Sequence, residues 1–198
     1  MFARGSAGIL AVPPLAALFL WYLGIWPLAL ALSLFWLILL MFFRDPERKA
    51  GKGIVSAADG VVDWIRADEK WLVISVFMNL HNVHVNRAPL PGVALRVTRK
   101  AGGMWPAFLE RSKRNARAVM VFDTAIGHVR VVQISGVFAW RVVPYVRKGK
   151  AVLKGRRIGM IRFGSRVNVW LPADKVVCRV VKGQKTIAGV TTIAEVRP

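Results

Sequence analysis

Gly164-Ser165, set in Ile161–Pro172 between two β-patterned runs, is an arrangement from which a chain can cut its own backbone. Glycine leaves its carbonyl uncrowded and tolerates strained angles. The serine hydroxyl beside it becomes a nucleophile once a base takes its proton. Gly-Ser is also a common turn dipeptide, so its meaning depends on what else the chain supplies. Three histidines are available: His81, His84 and His128. The first two fall in Leu80-His81-Asn82-Val83-His84, where a spacing of three lets both rings face one way on a helical turn or meet in an irregular loop. Three readings of the pair stand open: metal ligation, which needs further ligands, ordinary structural histidines, and acid–base work near neutral pH. Asp59, in Ala58-Asp59-Gly60, is either part of a tight hairpin turn or a carboxylate that orients an imidazole, which then activates a serine. Asp59, one of the two histidines and Ser165 would make such a trio.

The elements that must position these residues fall into two zones. Between Arg4 and Arg44 lie 39 residues without a charge, more than the about 20 that one membrane span needs. Pro13-Pro14, Gly24 and Pro27 interrupt the stretch, so two short helices are predicted, over 9–23 and 27–43. Each is short for a full crossing, and a re-entrant or tightly turned hairpin follows; a cleaved secretory signal fits less well, because the apolar region is too long. Residues 1–43 are thus read as a membrane-anchoring helical hairpin and 44–198 as the catalytic domain. After the charged junction Arg44–Lys49 the texture changes to short Val/Ile-rich runs punctuated by glycine and proline: 54–56, 61–65, 71–76, 93–98, 119–122, 128–134, 139–143 and 158–163. Many short strands at this spacing predict a mainly β, β-rich α+β domain, sandwich or barrel-like, with a short helix or loop over 107–117. Lys154-Gly155 and Lys182-Gly183 each open a turn–strand pattern. Half-units like those of lipoyl-type β-domains would show this echo, and so would any two hairpins.

Charge narrows the partners. Of the 30 basic residues only Arg4 precedes residue 44, and all 10 acidic ones follow it, so 44–198 carries +19. A domain this basic seeks polyanions. Beside an apolar hairpin the better partner is anionic lipid, not nucleic acid. Basic flanks at Arg4 and Arg44 suit a hairpin with both ends on the cytoplasmic side of the cell membrane. Cys178 is the single cysteine, which rules out an intrachain disulfide and a multi-cysteine zinc site. No metal is expected.

Taken together, Phe43–Arg48, Val55–Val61, Phe77–Pro89 and above all Arg157–Pro172 resemble the phosphatidylserine decarboxylases, in particular the short branch that includes archaetidylserine decarboxylases. The motifs occur in that family's order across most of residues 35–175. Four positions depart from the pattern: Ala57 where proline is common, Asn168 where aspartate is common, Trp140 where arginine is usual, and the tract Arg114–Arg117, whose Ala116 stands in a stretch without its usual acid.

The resemblance implies a self-made cofactor. His84, oriented by Asp59, would take the proton of Ser165, and cleavage would give fragments 1–164 (β) and 165–198 (α), the latter starting with a pyruvoyl group derived from Ser165. The pyruvoyl ketone does the work often done by pyridoxal phosphate, so no external cofactor is implied. His81 becomes the proton donor in decarboxylation. Arg87, Arg162 and Arg166 are candidates for holding the phosphate or carboxylate of an anionic phospholipid, and a homodimer is common in the family. Two readings from other classes compete: a non-enzymatic, membrane-tethered lipid-binding module, and a serine peptidase using the same trio.

Overall fold

The computed structural model describes residues 1–103, 105, 114–136, 142–162 and 165–198, with only the backbone of Ser165. The chain divides into two compact units, Met1–Glu47 and Arg48–Pro198.

In the first unit α1 (Ala7–Tyr22) packs against α2 (Trp26–Phe42). The turn between them uses Gly24 at φ +73°, and the Trp21 and Trp26 rings stack across it with centroids 5.8 Å apart. Pro13 and Pro14 lie inside α1. Proline has no N–H to donate four residues back, so Pro14 leaves the Leu10 carbonyl without its helical donor, and Trp36 Nε1–H of α2 donates to that oxygen at 2.8 Å. The prolines are thereby tolerated and the two helices tied together. With 16 and 17 residues, these helices are about 25 Å long, against about 30 Å of bilayer hydrocarbon. No helix among the described residues is long and apolar enough to cross a membrane. Leu15, Leu18, Trp21, Leu30 and Ile38 are all exposed, an apolar surface of the kind that marks an interaction site.

The second unit is mainly β and, among the described residues, wholly antiparallel in its named strand pairs. In chain order the strands are β1 (Ile54–Val55), β2 (Gly60–Ala67), β3 (Trp71–Met78), β4 (Val85–Arg87), β5 (Gly92–Lys100), β6 (Arg117–Thr124) and β7 (Gly127–Ser135). There follow β8 (Val142–Pro144), β9 (Ala151–Val152), β10 (Arg157–Ile161), β11 (Ser165–Pro172), β12 (Val176–Cys178), β13 (Lys185–Thr186) and β14 (Thr192–Val196). An eight-stranded sheet runs β13-β2-β3-β11-β7-β6-β5-β9, and two three-stranded sheets run β1-β14-β12 and β4-β10-β8. Period-two alternation sets the core: Ile74, Val76, Val129, Val131, Val167, Val169 and Leu171 are buried in it, while Arg166, Asn168 and Trp170 alternate onto the other face.

The predicted strands match observed ones, with ends that differ by a few residues, save that 139–141 and Phe163 lie outside the described residues, as does most of 107–117. The β-patterned run predicted after Gly164-Ser165 is β11, and it occupies the centre of the large sheet. The two Lys-Gly turns are real, at Gly155 (φ +75°) and Gly183 (φ +88°), but the strands after them, β10 and β13, belong to different sheets. Asp59-Gly60 is not a two-residue hairpin turn. Gly60 opens β2 at φ +150°, and a Cβ there would stand 2.0 Å from the Phe77 carbonyl oxygen. Glycine is what lets β2 close onto β3 next to Asp59.

Candidate active site

Antiparallel pairing gathers the candidate residues at one end of the large sheet. Ser165, the first residue of β11, is in register with Met78, the last of β3, and with Ser135, the last of β7. Val61 stands opposite Phe77, so Asp59 enters β2 at the end where β3 leaves toward His81 and His84. From the other side, β10 ends at Ile161, whose N–H donates to the His84 carbonyl at 3.2 Å. The chain that leads into Gly164 therefore departs beside His84, and the chain that leaves it returns beside Met78. Gly164 itself lies outside the described residues. The Asp59 segment joins the cluster through Ala57, whose carbonyl accepts from Arg87 N–H of β4 at 2.9 Å.

The two histidines differ sharply. His84 is fully buried, and its Nδ1 is 2.8 Å from the Asn82 carbonyl oxygen. A carbonyl only accepts, so Nδ1 carries the proton, and in the neutral ring Nε2 keeps its lone pair, which is the form of a general base. His81 is exposed in the turn after β3. His128 is exposed at the start of β7, at the opposite end of the sheet, 3.6 Å from Asp123. Among the described residues no three His, Cys, Asp or Glu side chains group as metal ligands.

Asp59 is held on all sides. Arg48 Nη1 and Nη2 donate to its Oδ1 and Oδ2 at 2.5 and 2.8 Å, Ala188 N–H donates to Oδ1 at 2.8 Å, and Arg48 Nη1 also reaches the Ala188 carbonyl at 2.9 Å. Asn82 thus orients the His84 ring, and Arg48 and Ala188 clamp Asp59.

The three arginines separate. Arg87 is buried and donates to the Gly155 carbonyl at 2.9 Å. Arg166 forms an ion pair with Asp63 at 2.6 Å, and strand alternation puts it on the face opposite position 165. Arg162, half-buried, directly follows β10 on the way to Gly164-Ser165. Of the departures from the family pattern, Ala57 and Ala116 act through backbone carbonyls that accept from Arg87 and Ser135. Asn168 pairs with Ser75 and Val132 on the outer face. Trp140 lies outside the described residues.

The model of the family described as phosphatidylserine decarboxylase matches residues 35–194. The chain belongs to the phosphatidylserine decarboxylase family. The phosphatidylserine decarboxylase proenzyme of Streptomyces coelicolor is 48% identical over 167 residues, 83% of this chain and 74% of that protein. A Methanococcoides burtonii protein provisionally named an archaetidylserine decarboxylase proenzyme is 44% identical over 179 residues, 88% of this chain and 81% of that one. Membership makes the chain an enzyme of the decarboxylase class, made as a proenzyme. The lipid-binding module and the peptidase fall away.

For this member of the decarboxylase family, sequence reasoning missed a polar group beside the site. Gln133 Nε2 donates to Asn86 Oδ1 at 2.7 Å, Asn86 Nδ2 lies 3.6 Å from Met78 Sδ, and Ser135 ends the same strand face. A signal was there: in β7 the core positions run Val129, Val131, Gln133, Ser135, an apolar face that turns polar as it nears Ser165. Gly159 makes room for it, since a Cβ there would stand 2.8 Å from Gln133 Nε2.

Proposed function

We propose that this chain cuts itself between Gly164 and Ser165, makes a pyruvoyl group from Ser165, and with it converts phosphatidylserine, or archaetidylserine by the same chemistry, to the ethanolamine lipid and CO2. The observation that carries the reading is the convergence of Ser165, the His84 backbone and the Asp59 segment at one end of the sheet. His84, buried with its Nε2 lone pair, is the base that takes the Ser165 proton. The oxygen attacks the Gly164 carbonyl and the amide becomes an ester. Elimination frees the Gly164 carboxylate and leaves dehydroalanine, which exchanges its nitrogen for the oxygen of water and releases ammonia. Asp59 is the carboxylate of the same constellation, and its clamp fixes the segment that enters β2.

The position fits the group. Residue 165 opens β11, so a new chain start there leaves every pairing of β11 with β3 and β7 intact, and fragment 165–198 stays anchored by β11 in the centre of the large sheet. Once formed, the pyruvoyl ketone supplies the electron sink for loss of CO2. His81, exposed where substrate arrives, donates the proton that replaces CO2. Arg162 is the arginine best placed to meet an acidic head group; Arg87 and Arg166 contribute charge from farther off. The apolar hairpin and the +19 domain suit an enzyme held at the cytoplasmic face of the cell membrane, where anionic lipid concentrates.

Intact mass and a denaturing gel test the reading. The matured protein is expected as 164- and 34-residue pieces, the smaller resistant to stepwise N-terminal degradation. A single uncut chain with a free N-terminus overturns it. Defined diacyl and diether phosphoserine lipids, assayed side by side, decide between the two substrates. His81→Ala is expected to mature at the normal rate and then release CO2 at least about 100-fold more slowly, the usual worth of a positioned acid. Normal turnover in that variant removes His81 from the mechanism.

A further inference from the structure

Ser135 has a fully buried side chain, and its Oγ has no hydrogen-bond partner among the described residues. Buried hydroxyls are nearly always paired, and an exception calls for a physical reason. The backbone of the same residue is fully engaged: its N–H donates to the Ala116 carbonyl at 2.9 Å, and its carbonyl accepts from Asn115 Nδ2 at 2.7 Å. Asn115 is in turn fixed by the Trp105 backbone, at 2.8 Å to its N–H and 2.6 Å to its carbonyl. Both backbone groups of Ser135 therefore point away from β11. Its register pair with Ser165 is then of the non-hydrogen-bonded kind, in which the Cα atoms approach to about 4.5 Å and the side-chain positions are closest. Directly paired residues also share one sheet face.

Processing changes what stands at that spot. In the precursor the Cα of residue 165 bears an amide nitrogen; afterwards it bears a ketone oxygen. An acceptor appears, on the closest-approaching neighbour of an unused donor. We propose that the Ser135 hydroxyl is the hydrogen-bond donor for the ketone oxygen of processed residue 165, fixing its plane and drawing electron density toward oxygen. A donor preorganised in a dry site stabilises the charge that gathers there. The inference rests on the processing reading above.

Ser75 provides an internal control. It too is fully buried with an unpartnered Oγ, but it sits on β3 opposite Asn168, on the other face of the sheet. The test uses the full-length matured protein and two readouts, the mass of the 165–198 fragment and the rate at which its ketone reacts with phenylhydrazine. Ser135→Ala is expected to give a blocked fragment, one ammonia lighter than a serine-started one, whose reaction with phenylhydrazine is about tenfold slower, the loss of one neutral hydrogen bond. Its kcat is expected to fall by a similar factor with KM little changed. Ser135→Cys, close in size with a weak donor, falls between, and Ser75→Ala reacts like the unaltered protein. If Ser135→Ala fails to process, Ser135→Cys decides on the same rate. Unchanged reactivity in the Ser135 variants, or equal slowing in Ser75→Ala, overturns the inference. An unblocked fragment or uncut chain in the unaltered protein instead overturns the processing reading, and this inference with it.

Discussion

Ser165→Ala is expected to purify as one uncut chain of 198 residues with no detectable release of CO2 from phosphoserine lipid. The loss is complete, because the self-cleavage needs Ser165 Oγ and the cofactor forms only through that cleavage. Without Oγ no acyl shift begins, and without the shift no dehydroalanine forms. The change itself is small for the fold. Residue 165 is the first of β11, paired through its backbone to Met78 and Ser135, and alanine keeps that backbone. Thermal unfolding of the variant is therefore expected within about 1 kcal/mol of the unprocessed parent, the common size of a single-substitution effect. A folded, uncut and inactive chain separates a chemical role from a structural one. A 34-residue fragment appearing from Ser165→Ala sinks the assignment of the cut site.

Much of this candidate site was legible in the sequence, and the gaps in that reading have physical causes. The Gly-Ser pair, the two histidines and Asp59 are marked by residue type and by their order along the chain, although each taken alone also fits a bland role. The helices over 9–23 and 27–43 stand out because uncharged runs broken at glycine and proline have few other solutions. What sequence spacing could not supply was pairing. Ser165 and Ser135 are 30 positions apart, and only the register of β11 against β7 makes them neighbours. The same holds for Arg48, which the sequence showed as one charge in a charged junction. Nothing local says that its guanidinium finds Asp59 and the Ala188 backbone. The orientation of His84 by Asn82, two residues away, is a loop conformation that residue types alone do not encode.

Arg48→Ala carries the second large effect. The Arg48–Asp59 pair is bidentate, both side chains are 11% exposed, and the Ala188 N–H and carbonyl complete the set. A surface ion pair contributes about 0–1 kcal/mol. Removing one partner of a buried pair instead strands the other charge and costs about 3–5 kcal/mol. With Arg48 gone, Asp59 retains one backbone donor for a nearly buried carboxylate. The clamp also joins pieces that the proposed cut would separate, since Arg48 and Asp59 belong to 1–164 and Ala188 to 165–198. In the uncut Ser165→Ala background, Arg48→Ala is expected to lower the melting temperature by about 10 °C, at about 2–4 °C per kcal/mol for a domain of this size. In the processed protein the same change acts where chain continuity no longer helps, so the 165–198 fragment should dissociate at a lower urea concentration than it does with Arg48 present. A shift below about 1 kcal/mol in both forms would reduce the clamp to an ordinary surface pair. Loss of self-cleavage in Arg48→Ala with the melting temperature unchanged would mean that Arg48 acts on the chemistry through Asp59 and not on the fold. The two measurements together therefore say whether Asp59 is held for stability, for processing, or for both.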